Sequence, residues 1–290
     1  MNYAVVDTGS NTIRLSIYEV IDGEIKEIFT EAIFANLAGH IIENFISDEG
    51  IDVCCEALVT HREIAKKYDA QYYAFATAAI RNAENSQDAV EKIFQKTGIK
   101  MEILSGDDEG TLSFLGAYDD FGVTSGIMAD VGGGSSEVIV FKNGKIESVC
   151  SVPWGSLKAF KNFVSGDIPT EEEVNNIKNK IKTILSENME PVCANDLCLV
   201  GGGVRIANKL CSMFFPESKL NRKTVDDMLD AFIKNPDITK IFERIAPKRK
   251  YTIIPGLAIY SAIGEFFGTD TIAISDKGIK EGYLKKRIIH

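Results

Sequence analysis

The chain has 290 residues, 45% of them hydrophobic and 26% charged. That balance fits packed globular domains and excludes disordered, collagen-like and coiled-coil classes. A net charge of −10 argues against a non-specific nucleic-acid binder, because duplex affinity comes mainly from Lys and Arg neutralising phosphates.

The opening MNYAVVDTGS has neither a basic n-region nor an apolar run of signal-peptide length, so export is not expected. Ala4 to Tyr18 reads as a strand, a polar turn opened by Asp7 and containing Gly9, then a second strand with Ile13, Leu15 and Ile17 alternating. It leads to Asp22-Gly23, a dipeptide suited to a type I′ hairpin turn. Gln71 to Ala76 is expected as a strand, Ser86 to Lys96 as a helix and Met101 to Leu104 as a strand. A further helix starts at Ser105, whose spacing to Asp108 resembles a capping box.

Met128 to Phe141 then aligns without gaps on the first strand-turn-strand, with Asp130 set on Asp7 at an offset of 123 residues, and reaches its own hairpin signal, Asn143-Gly144. An offset of that length suits duplicated domains rather than a solenoid. Thr170 with Glu173 predicts a capped helix carrying Val174, Ile177, Ile181 and Ile184 on one face. Asp196 to Val200 predicts a strand running into Gly201-Gly202-Gly203, with helical Val204 to Cys211 behind it. The weakly polar stretch Thr252 to Gly268 is broken by Pro255, Gly256, Gly264 and Glu265, so it is not read as a membrane span. Alternating strands and helices give an α/β fold of two duplicated domains, 1–124 and 125–290, with the last helix able to pack back on the first. The first holds 9 basic against 22 acidic side chains, the second 23 against 20. Six cysteines without a CxxC pair and only three histidines suit reduced cytoplasmic thiols better than a thiolate or imidazole metal centre.

Three glycine clusters stand directly after strands: Asp7-Thr8-Gly9-Ser10-Asn11, Asp130-Val131-Gly132-Gly133-Gly134-Ser135 and Gly201-Gly202-Gly203. Glycine lets backbone N–H groups approach an anion closely, so the clusters point to phosphate. A P-loop or dinucleotide site is excluded by the lack of GK[ST] and of GxGxxG at a strand-to-helix turn. Asp7 and Asp130 open two of these loops, either as Mg²⁺ ligands, with phosphate and water completing the shell, or as Asx-turn residues that only fix the loop. Arg81 suits bidentate phosphate binding or an ion pair to a nearby carboxylate. Asp107, Asp108 and Glu109 crowd one helix start, which serves the helix dipole or raises an acid toward general-base use.

The segments Val6–Leu15, Ala76–Ala83, Leu104–Gly110, Asp130–Glu137, Val200–Gly203, Ile254–Gly256 and Lys280–Gly282, taken in order and spacing, resemble the exopolyphosphatase and guanosine pentaphosphate phosphohydrolase (Ppx/GppA) family, within the actin and sugar-kinase superfamily. The resemblance implies two ribonuclease-H-like domains flanking a cleft, and Mg²⁺-assisted removal of a terminal phosphate from inorganic polyphosphate or guanosine pentaphosphate. By the same resemblance Glu109 is the catalytic glutamate that readies water, Asp130 the second acid near metal and nucleophile, and Asp7 and Asp130 the metal carboxylates. Arg81, Ser10, Asn11, Gly132, Gly133, Gly134, Ser135, Gly201 and Gly202 hold phosphate. No nucleic acid or membrane partner is implied, and a homodimer is admitted. Thr111 stands where the family often has Arg, Lys250-Tyr251-Thr252 where it has Arg-x-Asp, and Gly203 where it often has Thr; these bear on substrate preference. With the sequence ending at His290, the added C-terminal helical domains of longer members are not expected. Arg222-Lys223, Lys248-Arg249-Lys250 and Lys285-Lys286-Arg287 are expected to meet a polyanion. Two other readings stand beside hydrolysis: an ATP-dependent kinase of the same superfamily, which needs an adenosine pocket around Gly201 to Asn208, and a non-catalytic alarmone sensor.

Overall fold

The computed structural model describes residues 1–289. Two compact units are present: Met1–Glu109 with the segment from Tyr283 onward, and Gly110–Gly282.

The first unit is built on β1 (Asn2–Thr8), β2 (Thr12–Ile21), β3 (Glu24–Phe34), a short hairpin of β4 (Ile41–Ile42) and β5 (Phe45–Ile46), α1 (Asp48–Lys67), β6 (Ala70–Ala76), α2 (Ala78–Arg81), α3 (Ser86–Thr97) and β7 (Met101–Ile103). Its main sheet has the order β3-β2-β1-β6-β7. β1 pairs antiparallel with β2 and parallel with β6. Ala4, Val5 and Val6 are all buried, as a central strand covered on both faces requires. Asp22 and Gly23 both have positive φ, as do Asn143 and Gly144, so each hairpin signal forms the mirror-image turn that matches the right-handed strand twist.

Helix α4 (Gly106–Phe121) begins in the first unit and continues into the second, which is why the compact units divide at residues 109 and 110 rather than after the helix. Ser105 accepts from the Asp108 N–H at 3.0 Å and donates back to its carboxylate at 2.8 Å, closing the expected cap.

The second unit repeats the sheet with β8 (Gly126–Val131), β9 (Ser136–Lys142), β10 (Lys145–Val152), β11 (Asp196–Val200) and β12 (Thr271–Ser275), in the order β10-β9-β8-β11-β12. Its helices are α5 (Ser156–Phe163), α6 (Glu171–Asn188), α7 (Gly202–Phe214), α8 (Arg222–Ile233), α9 (Ile238–Ile245), α10 (Ile253–Phe267) and α11 (Ile279–Tyr283). The Thr170–Glu173 capping box forms at the start of α6. Val174, Ile177, Ile181 and Leu185 are its buried face, with Ile184 at the margin. The weakly polar stretch from Thr252 to Gly268 forms α10, apolar on nearly all sides and buried in the core of this unit, the usual place for an all-round hydrophobic helix. Among the described residues no helix is long and apolar enough to cross a membrane.

The duplicated turns share one hydrogen bond. Gly9 N–H donates to the Thr12 carbonyl at 3.2 Å, and Gly132 N–H to the Ser135 carbonyl at 3.0 Å, positions related by the 123-residue offset.

Backbone contact also fixes α4 against α11. A Cβ on Gly282 would lie 1.8 Å from the Leu112 carbonyl oxygen, and one on Gly116 1.9 Å from that of Gly278. Neither backbone can yield cheaply, so Gly282→Ala is expected to destabilise the protein by about 3 kcal/mol in urea unfolding. Gly98→Ala, at φ +69 with open space around it, should cost about 1 kcal/mol.

Candidate functional site

In the first unit β1 ends at Thr8 and β6 at Ala76, so the Asp7–Asn11 turn and the Ala78–Arg81 helical turn follow neighbouring parallel strands. Thr77 N–H donates to the Thr8 carbonyl at 3.2 Å, tying the two together. Ser10 is buried. The Ser10 carbonyl accepts from Ala38, and the Asn11 carbonyl from Ala35 and Asn36. Arg81 donates to the Leu104 carbonyl at 3.3 Å and forms an ion pair with Glu109. Only 15% of the Arg81 side chain and 13% of the Glu109 side chain is exposed, so this pair is shielded from screening as surface pairs are not. Both expectations for Arg81 meet here: it is ion-paired, and its partner is the candidate catalytic acid. The other acids of the run part company with Glu109. Asp108 takes the Ser105 cap and pairs with Arg287 at 3.2 Å, and Asp107 is exposed.

In the second unit Asp130 is the next-to-last residue of β8 and lies cross-strand from Glu137. The Ser113 hydroxyl, on α4, donates to its carboxylate at 2.6 Å. Burial pushes the Asp130 carboxyl above its ordinary value, while the Ser113 hydrogen bond and the Arg249 charge pull it back without cancelling the shift.

The loop behind Asp130 has its carbonyls spoken for. Gly132 C=O accepts from Ser156, and Gly133 C=O from Leu157 and Lys158, all at the start of α5. The peptides are trans, so each carbonyl that faces α5 turns the following N–H, those of Gly133 and Gly134, the opposite way. Gly155 permits this contact, since a Cβ there would meet the Gly132 oxygen at 2.5 Å. Ser135 is buried.

The third cluster caps α7 and adjoins the same carboxylate. Gly201 has φ +96, and a Cβ on it would stand 3.1 Å from Asp130 Oδ1. One on Gly202 would stand 2.7 Å from an Arg249 guanidinium nitrogen. The structure thus brings Asp130, Gly132–Ser135, Gly201 and Gly202 together in one unit, and the Asp7 turn, Arg81 and Glu109 in the other.

Sequence reasoning passed over Ser113, Gly155 and the specific place of Arg249. The one signal was the basic cluster at 248–250, read as an open polyanion surface. Several side chains of the three clusters are engaged within their own unit. Lys250 pairs with Glu243 at 3.1 Å, Lys223 with Asp227 at 2.6 Å and Arg287 with Glu102 at 3.4 Å, while Arg222 donates to the Thr269 carbonyl at 2.9 Å. Arg249 is the member that reaches a glycine loop.

Among the described residues no three His, Cys, Asp or Glu side chains gather as a metal cage. Asp130 nonetheless fits Mg²⁺, a hard ion that takes one or two carboxylates and draws its other ligands from phosphate and water.

The sequence profile of the Ppx/GppA phosphatase family matches residues 16–288. The chain belongs to that family. It is 31% identical over 298 aligned positions to the bifunctional 3-dehydroquinate synthase/phosphatase of Fusobacterium nucleatum, covering 94% of this chain and 44% of the relative. It is 29% identical to exopolyphosphatase 1 of Mycobacterium tuberculosis, covering 64% of this chain and 56% of the relative. The chain therefore spans about half the length of these two relatives. The crystal structure of the Aquifex aeolicus Ppx/GppA family member superposes with a TM-score of 0.81 at 25% identity, over 98% of this chain and 96% of that one. The two-unit α/β fold of duplicated sheets is accordingly the ribonuclease-H-like, actin-superfamily fold expected from the motifs.

The raised carboxyl of Asp130 has a testable sign. A group whose folded value lies above its unfolded one lends stability below the unfolded value and loses it as pH rises through the folded one. Asp130→Asn should melt at or above the wild-type temperature at pH 7. The difference should vanish as pH falls below the ordinary carboxylate value of 3.8, read by thermal unfolding across pH 3 to 8.

Proposed function

We propose that the protein hydrolyses a terminal phosphoanhydride, with inorganic polyphosphate or guanosine pentaphosphate as substrate. One observation in each unit carries the reading: in the first, Arg81 fixes the candidate catalytic acid Glu109; in the second, Ser113 fixes the desolvated carboxylate of Asp130. One acid is salt-bridged and the other desolvated, the kind of difference in surroundings by which acid and base roles are divided.

Phosphoryl transfer to water needs positioning and charge neutralisation more than covalent help. In this reading Glu109 orients the attacking water and takes its proton. Arg81 fixes the Glu109 carboxylate and adds positive charge where the terminal phosphate binds. The Gly133 and Gly134 amides, turned away from α5, donate to phosphate oxygens, with Ser135, Ser10, Asn11, Gly201 and Gly202 as the further holding groups. Asp130, and its first-unit counterpart Asp7, would hold the divalent cation, taken to be Mg²⁺, which when bound offsets the negative charge of the phosphate chain. The name of the mycobacterial relative supports polyphosphate.

Phosphate release from polyphosphate, guanosine pentaphosphate and ATP in the presence of Mg²⁺ tests the proposal. Glu109→Gln should lower the rate on the preferred substrate by about 10²- to 10⁴-fold with binding retained. Equal rates in variant and wild type would move the water-activating role elsewhere. Tight guanosine pentaphosphate binding with no release by wild type would support the sensor reading.

A further inference from the structure

The first unit's sheet is incomplete along one edge. β7 pairs with β6 only at Ala74, Phe75 and Ala76, whereas β1 pairs with β6 along its whole length, from Ala70 to Ala76. The Leu104 N–H donates to the Ala76 carbonyl at 3.0 Å across the β7 edge, while the Thr77 N–H donates to Thr8 on the β1 side. Backbone direction alternates along a strand, so Ala74 and Tyr72 turn their N–H and C=O toward β7 as well. Ala74 finds β7 there. Among the described residues Tyr72 finds no backbone partner on that edge, because the chain from Gly98 to Lys100 leaves α3 through the left-handed Gly98 cap and does not pair with it.

A cleft of about 700 Å³ lies at this gap, lined by Tyr72, Tyr73 and the Gly98–Met101 segment. Its walls come from both faces of the sheet. Tyr72 lies on the α1 face, its hydroxyl donating to the Leu58 carbonyl at 3.0 Å, with Phe94 of α3 in the same lining. Tyr73 points to the opposite face, where Tyr283 packs on Phe75 with ring centroids 4.8 Å apart. A cleft that wraps a sheet edge in this way has the form of an absent strand. Four strand residues, each rising about 3.3 Å in a slot about 4.8 Å by 10 Å, take up roughly 600 Å³, so the size agrees.

The side chains say what kind of strand fits. Phe94 is 39% exposed, and an open edge beside exposed apolar surface is a pairing template that folded proteins normally cover. Glu102, the carboxylate of the lining, is already held by Tyr283 at 2.9 Å and Arg287 at 3.4 Å. Arg62 is anchored on the Thr97 carbonyl at 2.6 Å, with Glu63 3.9 Å from its Nε. Lys100 is exposed and makes no ion pair among the described residues. The uncompensated charge of the cleft is therefore a cation.

We propose that this gap docks an extended acidic peptide from a partner protein, which adds beside β6 as a strand in line with β7. Its main chain pairs with Tyr72, its apolar side chains settle on alternate faces at Phe94 and Tyr283, and a carboxylate meets Lys100. This is strand addition at a sheet edge, and it is independent of the hydrolysis reading.

Selection of a displayed random heptapeptide library on the full chain is the test. Enriched peptides should alternate apolar residues with Asp or Glu and compete with one another for one site. Lys100→Glu should weaken them about five- to tenfold at low salt, a difference that shrinks as salt rises. Methylating the peptide amides one at a time separates strand addition from surface adhesion: alternate positions should lose at least about tenfold, and those between less than about twofold. Peptides indifferent to Lys100→Glu or to the position of the methyl overturn the proposal, as does a library that yields no binder. So does a wild-type chain that self-associates in light scattering and returns to monomer with Lys100→Glu, because the occupant would then be a second copy.

A further readout needs no peptide. The Tyr72 amide should exchange with deuterium at least about tenfold faster than that of Ala74, which β7 covers, and bound peptide should slow it. Equal protection of the two amides in the free protein would mean that the edge is already closed, and would overturn the proposal.

Discussion

A carboxylate drawn partly out of water at the end of a central strand is the constraint on which the second unit's candidate site depends. Asp130 cannot be satisfied by its own strand, whose backbone groups are engaged by β9 and β11. It takes a hydroxyl from Ser113 on α4 and the field of Arg249 from beyond α9, and it lies against a glycine at 201 that offers no Cβ to crowd it. Each supporting group sits on a different element, so the loop, two helical segments and the strand are held to one arrangement. Burial still pushes its carboxyl above the ordinary value despite this support.

The duplication explains why the first unit has a matching turn but a different chemistry. The aspartate, the turn hydrogen bond and the hairpin recur at equivalent positions. The residue across the strand does not: Arg14 faces Asp7, while Glu137 faces Asp130. Because the sheet hydrogen bonds are made by backbone, the framework tolerates such exchanges. One unit could thus diverge toward an arginine-clamped glutamate and the other toward a carboxylate ringed by glycine loops, on the same five-stranded order.

Much of the fold was legible because its signals are local. The I′ turns at Asp22-Gly23 and Asn143-Gly144, the Thr170–Glu173 box and the apolar face of α6 each depend on neighbours within a few residues, and all appear as expected. The site was legible only where a backbone motif announced it. Asp130, Gly132 and Gly201 lie in glycine clusters that few other roles require. Ser113 carries no such mark, being a serine in mid-helix. Arg249 was visible as a charge but not as an individual, because its neighbours Lys248 and Lys250 look the same in sequence and only the packing turns one of the three toward Gly202.

The sequence by itself determined the α/β class, the duplication, the glycine loops and the acids that open them, since strand period, turn chemistry and φ preference are properties of short segments. Only the tertiary structure decided which arginine clamps Glu109, which hydroxyl holds Asp130 and which side chains Gly201 and Gly202 make room for. Those choices depend on groups tens to more than a hundred residues apart meeting within hydrogen-bond reach, and such distances are set by how helices pack on sheets, not by any local pattern.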